Sequence, residues 1–431
     1  MSYSGDKHEI GDGEPSGGSR SRNPLRNLRT FSSLKNPVYR LYFTGIMGQR
    51  AAMNMQQIAR SYLVYQLTGS AAILGLMSLF HALPILLFSV FGGVIADRIQ
   101  KKYVLLVGMA VSAVLSVAVA LTLSSGYLSA ENTGSWWVLA VASLLQGSIM
   151  GLMIPSRQAI IPEIVSDEQL MNAISLDSTG MNTLRLMAPA LSGFLIEAFD
   201  FGAVFYVMGG MYAMGMVCMA FMPLTGKLIS SAGNALQDIK EGFRYIRHDT
   251  TILLLLIFTL FVVVLSMPYM TLLPIFADDI LGVGAGGMGV LVSVSGIGAM
   301  TTSLVIASLP NKKRGVMLLV SGILLGLALT VFAFSKSFPL SLAIIVFVGM
   351  GQAGRMALGN TLIQYYVEDS YRGRVLSVYV MEFGLTSFGS FGAGLIAQAV
   401  GAPWALGGFA MTLVLVTFLM LIFFPRIRKL D

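Results

Sequence analysis

Six ionisable side chains stand deep inside long apolar stretches of this sequence: Arg50, His81, Asp177, Arg185, Arg355 and Glu382. A charge in hydrocarbon costs several kcal/mol unless it meets a partner or a water-filled cavity. Two of the six are acids, and an acid stripped of water favours its protonated form. Asp177 or Glu382 could therefore take up and release a proton. Asp177 lies about six residues, roughly 9 Å, into its stretch, and Glu382 about eight residues into its own, nearer the middle. Arginine stays charged, so Arg50, Arg185 or Arg355 could switch such an acid or hold an anionic substrate. His81 interrupts its own stretch and could join either role. A static buried ion pair that only fixes helix register is the other reading, and the residue types leave both open.

Other chemistry finds no pattern. No Gly-x-x-x-x-Gly-Lys-Ser/Thr loop is present to bind ATP. His8, His81 and His248 are scattered without metal-ligand spacing, and no Gly-x-Ser-x-Gly elbow appears. Neither an enzyme, nor a metal, nor a cofactor is expected. The single cysteine, Cys218, sits in an apolar run and reads as a small core residue.

The elements that must position these groups are membrane helices. Hydrophobic residues make up 55% of the 431 residues and charged ones 11%. The mean hydropathy is +0.76. A soluble domain carries about 25% charged residues, so lipid is the solvent for most of this surface. Apolar segments long enough to cross a bilayer recur at 39–65, 71–95, 103–125, 136–155, 171–197 and 201–224. Six more follow at 252–276, 287–307, 316–334, 339–366, 375–400 and 402–424. Every second connection is basic: Arg98, Lys101 and Lys102; Arg157; Lys240, Arg244 and Arg247; Lys312, Lys313 and Arg314; Arg372 and Arg374; Arg426, Arg428 and Lys429. The opposite connections offer only Lys336. By the positive-inside rule both termini are cytoplasmic. The formal net charge of +7 thus reflects topology and not nucleic-acid binding. Trp136, Trp137 and Trp404 fall at predicted outer helix ends, where indoles anchor to headgroups.

The expected fold is all-α and integral to the membrane, with twelve transmembrane helices in two six-helix bundles. A cytoplasmic tail (1–37), rich in Gly and Ser and carrying Arg20, Arg22, Arg26 and Arg29, reads as disordered to about Lys35. Bundles at 38–225 and 251–425 flank a middle loop (226–250), and a short tail (426–431) closes the chain. Residues 236–246 of the middle loop place apolar side chains on one helical face, which suits either the inner membrane surface or a solvated linker. Pro162-Glu163-Ile164-Val165-Ser166-Asp167 and Tyr366-Val367-Glu368-Asp369 echo each other about 200 residues apart, as a repeated half would.

Between the second and third spans runs Gly93-Val94-Ile95-Ala96-Asp97-Arg98-Ile99-Gln100-Lys101-Lys102. A glycine there lets helices approach closely, and a carboxylate can sit against the positive end of another helix. The stretch resembles the signature loop of the major facilitator superfamily, roughly Gly-x-Leu-Ala-Asp-Arg-x-Gly-Arg-Lys. Gly93, Asp97, Arg98 and Lys102 match, while Gln100 replaces a glycine and Lys101 an arginine. The resemblance extends from about Phe31 to Phe424. It implies a cytoplasmic gate in which Asp97 holds that side shut near Arg374, with Arg98, Lys101, Lys102 and Arg157 around it.

Leu67-Thr68-Gly69-Ser70, residues 155–163, and Asn360-Thr361-Leu362-Ile363-Gln364 with Arg372-Gly373-Arg374 resemble the drug-efflux branch related to enterobactin and macrolide exporters. Ala188-Pro189-Ala190-Leu191-Ser192-Gly193 is similar to a Gly-Pro-rich motif of antiporters, with Ala188 in place of a glycine. Pro189 and Gly193 would permit tight contact that limits leak, or serve ordinary packing. One departure stands out. Related proton antiporters carry an arginine three residues before a Gln-Gly pair, and here Ser143 precedes Gln146-Gly147.

The resemblance implies a secondary transporter in the cell membrane, most simply a monomer, exporting a small amphipathic or hydrophobic compound in exchange for protons or another coupling ion. Its 27 Met and 25 Phe suit a soft, varied pocket. Nutrient uptake and a transport-inactive sensor or lipid-binding scaffold are the alternatives.

Overall fold

The computed structural model describes residues 31–132, 134–224, 235–310 and 312–430, so the predicted arginine-bearing tail before residue 31 lies outside them. The chain folds as α1 (Pro37–Thr68), α2 (Ala71–Arg98), α3 (Lys101–Ser124), α4 (Trp137–Ile164), α5 (Asp167–Ala198) and α6 (Phe201–Phe221). These are followed by α7 (Ala235–His248), α8 (Thr250–Ser266), α9 (Pro268–Ile275), a π turn (Phe276–Ile280) and α10 (Gly284–Ser308). The last elements are α11 (Arg314–Phe334), α12 (Phe338–Tyr366), α13 (Arg372–Val400), α14 (Ala402–Phe423) and the short α15 (Pro425–Arg428).

Several helix starts are fixed by local chemistry. The side chain of Asn36 accepts from the Val38 and Tyr39 amides, Ser70 from Ile73, Asp200 from Ala203, and Asp249 from Thr251 and Ile252. Each cap satisfies N–H groups that a first turn leaves unpaired. Gly69 ends α1 at φ 58°, a conformation that side chains disfavour, and turns the chain directly into α2. The stretch 250–280 is broken where Pro268 and Pro274 supply no N–H.

Ten helices are long and apolar enough to cross a membrane among the described residues, with Thr250–Ile280 counted as one. α1 and α5 are longer, at 32 residues each, but less apolar. Both termini of the helical body lie at one end, here the terminal end. The Gly69 turn lies at the other, the turn end.

The packing repeats. In the first half α2 packs on α4, α3 on α4 and α6, and α1 on α5 and α6. In the second half α10 packs on α12, α11 on α12 and α14, and α8 on α13 and α14. Two seams join the halves, α5 against α10 and α2 against α13. Glycines let the backbones approach: a Cβ on Gly147 would strike the His81 carbonyl, and one on Gly349 the Ser295 carbonyl.

Three expectations change. Ser32–Lys35 form a 3₁₀ turn docked on α5, because buried Ser33 donates to Asn172 (2.7 Å) and to the Gln169 carbonyl (3.1 Å). α5 and α13 begin at Asp167 and Arg372, earlier than apolarity alone suggested. The middle-loop helix α7 docks on α13: Tyr245 stacks on Tyr371 at 4.3 Å, and Glu241 pairs with Arg374 at 2.9 Å.

Candidate functional site

α1 and α5 bring Arg50 and Asp177 together. The guanidinium donates to both carboxylate oxygens at 2.8 Å and to the Asp177 carbonyl at 3.0 Å. Both side chains are largely buried. This bidentate geometry is the strongest an arginine and a carboxylate adopt. The main chain of Arg157 on α4 lies nearby, accepting from the Tyr42 hydroxyl at 3.3 Å.

The second acid is placed otherwise. Glu382 on α13 is 4% exposed and Arg355 on α12 is 1% exposed. The Thr259 hydroxyl of α8 donates to Glu382 Oε1 at 2.8 Å, whereas Oε2 is buried without a partner. Arg355 donates to Gln352 at 3.1 Å and leaves Nε and Nη1 unpartnered. The two do not form an ion pair, contrary to one pairing the sequence allowed. Their helices hold the side chains near each other without contact. Arg185 on α5 is exposed.

At the turn end the two halves are sealed. Pro189 and Gly193 lie in the α5–α10 seam, where a Cβ on Gly289 would strike the Pro189 carbonyl and one on Gly193 the Ala285 carbonyl. The Ala190 amide donates to Ser293 at 3.1 Å, and Gly286 N–H to Glu197 at 2.8 Å. In the α2–α13 seam Ser70 donates to Gln398 at 3.0 Å. Sequence reasoning missed the latch between α1 and the π turn. Tyr62 donates to Asp278 at 2.7 Å, Gln66 to Asp278 at 2.9 Å, and Tyr65 to Asp279. The aspartates read as loop acids, and only their partners across the seam reveal a role.

Toward the terminal end the α5 seam opens. Residues 178, 179, 181, 182, 183 and 185 are exposed and sweep more than half the helix circumference at about 100° per residue. The expected gate cations are engaged locally: Lys101 pairs with Glu163 at 2.7 Å and Lys102 donates to the Ala220 (2.9 Å) and Met222 carbonyls within the first half, and Arg374 holds Glu241 of α7. Arg98 is exposed. The side chains of Gly93 and Asp97 lie outside the described residues, and Arg374 is engaged by α7.

A further arginine was also missed. Arg60 on α1 borders a cleft with Gln56, Ser116, Ser143 and Gln146, so the fourth-helix position without an arginine adjoins one from the first helix. Ser143 itself donates back to the Leu139 carbonyl at 2.6 Å. His81 on α2 has a buried Nδ1 without a partner. The place of Arg60 inside the apolar stretch 39–65 is the signal that could have found it.

Comparison with known proteins adds to this geometry. The chain is 24% identical over 348 residues to a staphyloferrin A transporter of Staphylococcus aureus, covering 80% of this chain and 86% of that one. It is 23% identical to macrolide efflux protein A of Streptococcus pyogenes (90% and 97% covered) and 25% identical to the multidrug efflux pump Tap of Mycolicibacterium fortuitum (87% and 92%). Among solved structures, a POT family transporter superposes with a TM-score of 0.73 at 13% identity, covering 91% of this chain and 96% of that one. An inward-facing bacterial homolog of the lysosomal transporter Spinster gives 0.65 at 14%, with 92% and 95% covered. A family model described as transmembrane secretion effector matches residues 28–431. The chain therefore belongs to that family, as a multi-pass membrane transporter of the major facilitator superfamily with efflux proteins among its relatives.

Proposed function

We propose that this chain exports a small amphipathic or hydrophobic compound in exchange for protons, by alternating access. It spans the cell membrane twelve times as a monomer, with bundles at 38–225 and 251–425, the middle loop at 226–250, and both tails (1–37 and 426–431) in the cytoplasm. The basic residues gathered at the terminal end support that orientation. On this reading the turn end faces outward and is sealed, and the cavity opens inward. Export follows the direction named for the macrolide and multidrug relatives. Exposed Met171, Met181 and Met187 on α5 offer the deformable apolar lining such compounds need.

The observation that carries the coupling is Glu382, a buried carboxyl with one oxygen satisfied only by a hydroxyl and the other unpartnered. No direct ion pair holds such a group ionised, so it exchanges protons as the cavity alternates. Asp177 is held by Arg50 and keeps register. Gly93, Asp97, Arg98, Lys101, Lys102, Arg157 and Arg374 form the cytoplasmic gate when the bundles close on that side. Pro189 and Gly193 seal the outer seam against leak. Reconstitution into vesicles with an imposed pH gradient tests the whole reading. Gradient-driven flux of dyes or antibiotics is expected from the natural chain. Its absence across the panel overturns transport, and flux indifferent to the gradient overturns proton coupling. Tags at Lys312 and Asp278 must label from opposite sides of the membrane.

A further inference from the structure

Arg60 stands eight residues before the end of α1, about 12 Å inside the turn end at about 1.5 Å per residue. Among the described residues it has no hydrogen bond or ion pair, and its Nη1 is buried without a partner. Each of the other buried arginines bonds at least one partner within the protein. Arg50 is neutralised by Asp177, and Arg355 bonds Gln352 with Glu382 nearby. Arg185 is exposed. Arg60 therefore presents a positive charge that no carboxylate of the chain offsets.

It also borders a space. A cavity of roughly 100 Å³ lies between α1, α2 and α9, lined by Gln57, Ser61, Ser78 and Thr271 beside apolar Leu74 and Met77. Ser78 and Thr271 bond each other across the seam at 3.2 Å. The cavity thus spans both halves just beneath the Tyr62–Asp278 latch. A guanidinium carries N–H donors in a planar fork that matches a carboxylate, and an unanswered buried cation is costly. Hydroxyl and amide groups beside apolar carbons suit a carboxylate attached to an oily body.

We propose that Arg60 receives the carboxylate of an anionic amphipathic substrate, with Gln57, Ser78 and Thr271 completing the cradle. This names a substrate class for the transport reading and rests on it. The test is a binding measurement without flux, so the two can fail separately. The full-length chain, purified in lipid nanodiscs, is titrated at neutral pH with 1-naphthoate, 1-naphthylacetate and decanoate. Two controls are 1-naphthamide and 1-naphthylmethylammonium. At least one carboxylate is expected to bind and raise the melting temperature, with the amide and ammonium binding about tenfold more weakly or worse. Arg60→Gln should weaken that carboxylate by about tenfold or more, and Arg60→Lys by less, since the point charge remains. Thr271→Val, on the opposite wall, should weaken it a few-fold and serves if Arg60→Gln does not fold. The proposal is overturned if no carboxylate binds, if the amide binds equally well, or if Arg60→Gln and Thr271→Val both leave affinity unchanged. Carboxylate binding at Arg60 in a chain that moves no compound sinks the transport reading alone. Flux of neutral dyes, with no binding of the carboxylates, sinks this proposal alone.

Discussion

Asp177 and Glu382 lie at the same depth, each ten residues beyond the first residue of its helix, Asp167 and Arg372. They occupy corresponding helices of the two halves, and their neighbours correspond too, α1 for Asp177 and α8 for Glu382. Yet Asp177 receives a bidentate arginine, whereas Glu382 receives a single threonine hydroxyl. One frame thus holds one acid paired with an arginine and one acid without an ion-pair partner. The sequence had placed Glu382 nearer the midplane, an impression that came from starting both helices at their first apolar residue.

The Glu382→Gln variant should fold and bind substrate but lose dependence on a pH gradient. Gln mimics the protonated acid, and Thr259 can still donate to its amide oxygen. Proton-driven flux is expected to fall at least tenfold, while counterflow of substrate at equal pH survives. Undiminished gradient-driven flux would remove Glu382 from coupling.

Asp177→Asn should act on stability. Removing one partner of a buried pair leaves the other uncompensated, at about 3–5 kcal/mol. The melting temperature should drop, and the double variant Arg50→Gln/Asp177→Asn should recover much of the loss. A double variant as unstable as the single one would refute a pair whose main task is mutual neutralisation.

Tyr62→Phe combined with Tyr65→Phe removes two hydroxyl donors that hold the π turn against α1. Each net hydrogen bond is worth about 1 kcal/mol, and more to a charged group, so the equilibrium constant favouring the sealed state should fall at least tenfold. A cysteine replacing Ser70 in this background should react faster with a membrane-impermeant thiol reagent from the turn end. Equal labelling rates with and without the tyrosine hydroxyls would argue against the latch.

Gly193→Leu and Gly289→Leu should each prevent closure of the α5–α10 seam. Even a Cβ at these positions runs into backbone of the facing helix, and backbone cannot yield as a side-chain tip can. Transport is expected to fall at least tenfold while the variant still elutes as the natural chain does. Gly408→Leu provides the control, because a Cβ there meets nothing within 4 Å.

The sequence by itself determined the solvent of each segment. Apolar length marks the membrane helices, and alternating basic loops give an orientation to test. It also singled out Asp177, Glu382 and Arg50, because a charge among oily residues is conspicuous whatever surrounds it. Partnership was decided only by the tertiary structure. Arg50 and Asp177 are 127 positions apart and Tyr62 and Asp278 are 216 apart, and nothing local sets which helix faces which or by what rotation. Arg60 and Glu382 show the same limit from the other side. That a group lacks a partner is a property of everything packed around it, and close packing of distant helices is what leaves Arg60 beside an open cavity.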